Sequence, residues 1–300
     1  MASITAHYGI TTPVPFQNID VARDNRIFVD PHAIRLSRGP SPFAADAVTA
    51  LDTFFDTVSI DAMSSSVADH RHGLDLLQHF EEPWETRMGM AQVGFRGHGG
   101  SADVGSWIWD ALRGDLSALL RVGILKHLED LPLFVNGIDR DITSDITTRI
   151  IFAALADFTA DMVNIYPEFT THGHTTGVVQ RQVWDSTSRS WAVASVELPT
   201  VNGKPLLLVP AGWARPRLLM SAGRYYETEV LTFAQLERAT SRNGKLLKTP
   251  KDRLKEQPGL GRGRGTNKVV TARAEDAGHD ILAQFRRFVD ERAERAARAA

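Results

Sequence analysis

The stretch VVQRQVWDSTSRSWAVASVELPTVNGKPLLLVP, Val178–Pro210, decides the fold. Three β-rich runs, VVQRQVWD, SWAVASVELP and KPLLLVP, are separated by STSR and TVNG. β-Branched and aromatic residues suit a pleated, half-buried surface. Asn202–Gly203 is a strong signal for a tight hairpin turn. The pattern predicts a three-stranded antiparallel meander.

The sequence before the meander has a different texture. Ile151, Leu155, Phe158, Met162 and Ile165 recur every three or four residues, which predicts a helix from about Asp145 to Ile165 that Pro167 stops. Val48, Leu51, Phe55 and Val58 mark another helix after Pro42. Shorter helices are expected near Leu74–Phe80 and Leu116–Leu128, and short strands at Ile27–Val29 and Leu133–Val135. After the meander come helical segments near Tyr225–Thr240 and a last amphipathic helix carrying Ile281, Leu282, Phe285, Phe288 and Val289. Helices, then a meander, then helices indicate an α+β fold rather than alternating βαβ units. Residues 1–166 read as a mainly helical region with short strands. Residues 167–300 read as the meander, a basic segment and a C-terminal helix, the two parts forming one compact unit.

The hydrophobic fraction of 43% is ample for a core. The absence of cysteine excludes disulfide scaffolds, thiolate metal sites and thiol nucleophiles. No run approaches the ~18 apolar residues of a membrane span, and the N-terminus lacks a secretory signal pattern. The expectation is a soluble cytoplasmic protein with no membrane partner. The net charge of −2 hides an asymmetry: Arg238–Arg273 holds eleven Lys or Arg against Asp252 and Glu256 alone. A basic block on an acidic body points to an anionic partner, nucleic acid above all. Within it, GLGRGRGTNK places Arg262, Arg264 and Lys268 on a glycine-rich backbone, expected to act as a mobile phosphate-binding arm.

No P-loop, H-E-x-x-H or G-x-S-x-G motif is present. The chemistry concentrates instead in GIDRDITSDITTRI, Gly137–Ile150, where Asp139, Asp141 and Asp145 fall within seven residues. Helix capping and the helix dipole account for one or two acids at a helix start. Three repel one another unless a cation neutralises them, and hard divalent cations want clustered oxygen ligands. Glu85, in PWETRMG, is a fourth ligand candidate, giving Glu85, Asp139, Asp141 and Asp145 around Mg²⁺ or Mn²⁺, with Glu85, Asp139 and Asp145 as the catalytic acids. Arg96, in GFRGHGG, would hold phosphate, because glycines let a ligand approach the backbone. A rival site places Asp185 and Glu197 on adjacent strands of the meander, with Lys204 beyond the turn. The histidine pairs His70/His72 and His172/His174 have strand-like metal-pair spacing but no evident third ligand.

RIFVDPHAIRL, PWETRMGM with its following R-G-x-G, LPLFVNGIDRDITSDITTRII and VELP…GKPLLLVP together resemble an uncharacterised group of bacterial proteins associated with mobile elements and anti-phage defence loci. The GIDRDITSDITTRI segment is the most specific part of that likeness. The group carries a lysine after LLLVP where Ala211 stands here. The resemblance implies a defence role and partner proteins of a defence operon, and it implies no particular catalysis. The leading expectation is thus a metal-dependent nuclease-like effector of anti-phage defence. The alternatives are a non-catalytic nucleic-acid-binding or adaptor subunit, and a phage or mobile-element structural protein.

Overall fold

The computed structural model describes residues 2–89, 101–243 and 245–299. Arg96 lies outside the described residues. In chain order, α1 (Ile4–Tyr8) leads to β1 (Phe28–Val29), α2 (Pro31–Leu36), α3 (Phe43–Met63), α4 (Val67–Leu76), α5 (Ser101–Arg113), α6 (Ser117–Arg121), α7 (Leu131–Phe134), α8 (Arg140–Ile150) and α9 (Phe152–Ile165). There follow β2 (Thr176–Asp185), β3 (Ser190–Val201), β4 (Lys204–Pro205), β5 (Ala214–Arg215), α10 (Ala222–Tyr225), α11 (Leu231–Glu237), β6 (Thr240–Arg242), β7 (Lys245–Leu247), α12 (Lys251–Lys255), α13 (Arg264–Asp276) and α14 (Ile281–Ala299). The fold is α+β, with small antiparallel sheets and helices at both ends. No helix among the described residues is long and apolar enough to cross a membrane.

The meander is dominated by one long hairpin. β2 and β3 pair from Thr176↔Pro199 to Asp185↔Ser190. The Trp184 indole donates to Thr53 Oγ1 and that of Trp191 to the Leu76 carbonyl, which seats the ribbon on α3 and the end of α4. The third strand is shorter than the sequence suggests: β4 pairs only at Thr200↔Pro205 and Val201↔Lys204. Leu206–Val209 are buried but form no ladder. The Leu207 amide donates to the Glu85 carbonyl and that of Leu208 to Thr159 Oγ1, so their hydrogen bonds go to the helical region. β1 pairs antiparallel with β5, which ties the N-terminal region to the chain beyond the meander.

Other expectations also shift. Leu133–Val135 is no strand: Leu131–Phe134 is a helical turn with Pro132 in its first turn. The long helix foreseen to Ile165 begins earlier and divides at Ile151 into α8 and α9. Thr147 and Thr148 donate their hydroxyls to the carbonyls of Thr143 and Ser144 four residues back, a bonding habit that bends helices. The helix placed at Leu74–Phe80 runs earlier, as α4, which Ser66 caps by accepting from the Asp69 amide.

α5 crosses the chain just beyond α4 at Gly105. A methyl group there would lie 2.1 Å from the Leu77 carbonyl oxygen. That neighbour is backbone and cannot swing aside. Gly105→Ala is expected to destabilise the protein by at least about 1–3 kcal/mol. An unchanged melting temperature would show that this crossing does not need glycine.

α14 is fastened by charge as well as apolar packing. Ile281, Leu282, Phe285 and Val289 are buried, and the Phe285 ring lies 5.1 Å from that of Tyr225. His32, in α2 and 3% exposed, places Nε2 2.8 Å from Asp290 Oδ1 and Nδ1 3.4 Å from Glu129 Oε1. Arg286 bonds Asp130, which is fully buried. Burial pulls the His32 imidazole down, but Glu129 and Asp290 outweigh it and its pKa is raised. Because the folded pKa exceeds the unfolded one, this stabilisation is complete below about pH 6.5 and disappears as pH rises through the folded value. Melting temperature is expected to fall across that window. Asp290→Asn should flatten the decline, and an identical profile in that variant would remove His32 from the fastening.

Candidate acidic site at the start of α8

Asp139 is the N-cap of α8, with its backbone extended and its carboxylate accepting from the amides of Asp141 at 3.0 Å and Ile142 at 3.2 Å. Asp141 and Asp145 follow at i and i+4, which puts both on one helix face. Both are buried, at 8% and 7% exposure. Gly89, with φ 116°, lies against Asp141: a methyl group there would sit 3.0 Å from Asp141 Oδ1. Only glycine meets both the backbone angle and the close approach.

The electrostatics are strained in one direction. Burial holds the Asp145 carboxyl well above the usual aspartate range, and Asp141, Glu82 and Asp139 push it further, with Arg149 alone opposing. Glu82 is raised by burial, then by Asp24 and Asp141, against Arg149. No described residue gives the Asp145 carboxylate a hydrogen bond or ion pair. Clusters of perturbed titratable groups of this kind concentrate at functional sites.

Beside the acids stands a set of arginines organised by Glu85. Glu85 sits in a 3₁₀ turn, Trp84–Thr86, and is fully buried. One carboxylate oxygen meets Arg181 of β2, and the other lies 3.4 Å from Arg149 of α8. Arg149 also donates to the carbonyls of Glu81 and Glu82, at 2.6 and 2.7 Å. Arg87 and Arg181 both lie over the Trp84 ring. Burial lowers the pKa of Arg149, with Glu85 opposing.

The foreseen ligand set is therefore divided. Asp141 and Asp145 share one face of α8, while Asp139 is engaged by helix amides and Glu85 by two guanidinium groups. Among the described residues, no three Asp, Glu or His side chains form a group that could hold a metal ion. The rival pair does not converge: Glu197 is opposite Val178 and Asp185 opposite Ser190, at far ends of the hairpin. Asp185 caps its own turn, its pKa lowered by the Ser188 hydroxyl and the Thr187 amide. His70 and His72 lie on α4, where a spacing of two separates side chains, and His72 bonds Asp61. Sequence reading missed Glu82, Arg149 and Arg181. Arg149 had one signal, its position four residues beyond Asp145.

The glycine-rich arm needs correction. Arg264 opens α13 and donates to the carbonyls of Pro132 and Ile138, at 2.7 and 2.8 Å. Lys268 pairs with Asp115, and the Arg262 guanidinium packs where a Gly223 side chain would be. The segment folds because the body supplies carbonyls and a carboxylate to its cations.

These features define an α+β protein with a buried acid–arginine site where α8 meets the hairpin. The chain belongs to the family described as a domain of unknown function (DUF8370), whose model matches residues 11–221. That span contains β1 to β5, α8 and every acid of the site. No curated protein and no solved structure matches the chain.

Proposed function

We propose that the protein is a divalent-cation-dependent phosphodiester hydrolase acting on nucleic acid in bacterial defence. Asp145 is the observation that carries the reading: a carboxylate 7% exposed, without a hydrogen-bond partner among the described residues, facing like charges. Such an arrangement needs a proton or a cation to neutralise it. Asp141 and Asp145 would hold Mg²⁺ or Mn²⁺, an ion that commonly takes only one or two carboxylates and completes its shell with water and substrate phosphate. A cation there supplies charge stabilisation and a more acidic water. Glu85 positions Arg149, and Glu82 adds negative potential. The defence setting rests on the resemblance of the quoted motifs.

A non-catalytic nucleic-acid-binding subunit is the second reading, favoured by the engagement of Asp139 and Glu85 with protein groups. Labelled DNA and RNA, incubated with the protein plus Mg²⁺ or Mn²⁺ and again with chelator, separate the two. Cation-dependent cleavage is the expected result. Intact strands in every condition, with no cation uptake by calorimetry, would leave the second reading.

A further inference from the structure

Besides Arg262, packed against Gly223, and Arg264, bonded to the Pro132 and Ile138 carbonyls, the basic residues of Arg238–Arg273 are sorted by the fold into two sets. Arg238, Lys251, Lys255, Lys268 and Arg273 each bond a group of the same chain. Arg242, Lys245, Lys248 and Arg253 are exposed, and no described residue gives the side chain of any of them a hydrogen bond or ion pair. Three of these four lie on or directly after the β6–β7 hairpin. All six ladder residues of that hairpin are exposed, including Leu246 at 56% and Leu247 at 50%.

The register carries the argument further. Arg242 is the cross-strand partner of Lys245, and Thr240 that of Leu247. Alternation puts these four residues on one face. Like charges directly opposite destabilise a strand pair, and an isolated two-stranded ribbon is marginal in water. A ribbon that aligns its cations without an internal counter-charge suits an external polyanion. Three-residue strands span about 10 Å, close to the depth of the B-DNA major groove at about 8.5 Å, whose width of about 12 Å admits a two-stranded ribbon. The deep, narrow major groove of A-form RNA does not admit side chains in this way.

We propose that the β6–β7 hairpin is a duplex-DNA-binding ribbon, with Arg242, Lys245 and Lys248 on phosphates. It shares with the proposed hydrolase only the choice of nucleic acid as partner. Its test is run in chelator, so failure of cation binding at Asp145 and failure of the ribbon are distinguishable.

The full chain is titrated by fluorescence anisotropy with a short DNA duplex, the same sequence as RNA duplex, and phosphatidylserine vesicles. The triple variant Arg242→Ala, Lys245→Ala, Lys248→Ala is compared across a salt series. DNA is expected to bind more tightly than RNA. The slope of log affinity against log salt should flatten in the variant by about 2.7, the contribution of three phosphate contacts at about 0.9 each. Between 50 and 200 mM salt this removes about 40-fold of the wild-type weakening. The swap Arg242→Lys, Lys245→Arg should bind as wild type, and no variant should melt below wild type. An unchanged slope, equal binding of RNA duplex, preference for vesicles, or a lowered melting temperature in the triple variant would each overturn the proposal.

Discussion

Asp145→Asn is expected to lower cation-dependent cleavage by more than about 100-fold, a larger loss than removal of an outer-shell partner causes, and to leave the protein more stable. Asparagine keeps the shape and removes the charge. The stability gain depends on pH in a definite sense. The folded pKa of Asp145 lies above its unfolded value, so between the two the native state holds the extra proton. Stability through this group therefore falls as pH rises from about 4 through the folded value, and the full penalty remains above it. The variant lacks that decline. Each kcal/mol recovered should raise Tm by roughly 1.5–2 °C in a chain of this size. Divalent cation at 100 times its Kd should stabilise wild type by about 2.7 kcal/mol and the variant not at all. Equal cation-induced shifts in the two proteins would remove Asp145 from the site.

Glu85→Ala is expected to destabilise the protein by about 3–5 kcal/mol, because it leaves Arg149 and Arg181 around an empty buried position. Arg149 is 5% exposed and, among the described residues, would keep the Glu81 and Glu82 carbonyls and the Phe152 ring but no carboxylate hydrogen bond. Tm should fall on the order of 10 °C, and Glu85→Gln should lie between the two. This separates a residue that positions arginines from a cation ligand. A ligand's removal would abolish cation binding and leave melting nearly unchanged, and that outcome would restore Glu85 to the ligand set.

What could be read from the sequence was what local rules determine. The long β2–β3 hairpin was legible from its alternating β-rich runs, and the β3–β4 turn from its chemistry: Asn202 and Gly203 take the left-handed angles, φ 51° and 73°, that Asn–Gly favours. α3 was legible from its stripe. Leu133–Val135 was misread because a short apolar run has no period that separates strand from helix. The break at Ile151 was hidden because the apolar spacing continues through it. In the site, the spacing of Asp141 and Asp145 gave their common face. The partners of Glu85 were invisible, since Arg149 and Arg181 are 64 and 96 residues away. Which carboxylates are committed to protein groups is a tertiary fact. Local sequence carries no record of it.

The fastening of α14 bears on how this domain can be moved between proteins. The family model ends at residue 221, and α14 starts at Ile281. A fragment cut at that limit would lack Arg286 and Asp290, leaving the fully buried Asp130 without its guanidinium and the His32 Nε2 without its carboxylate. Stranding a buried charge costs about 3–5 kcal/mol, a large share of the roughly 5–15 kcal/mol that holds a domain together. In this chain, residues 11–221 are therefore expected not to fold as a portable module. In any chimaera or minimal fragment built from this chain, the C-terminal helix must travel with it.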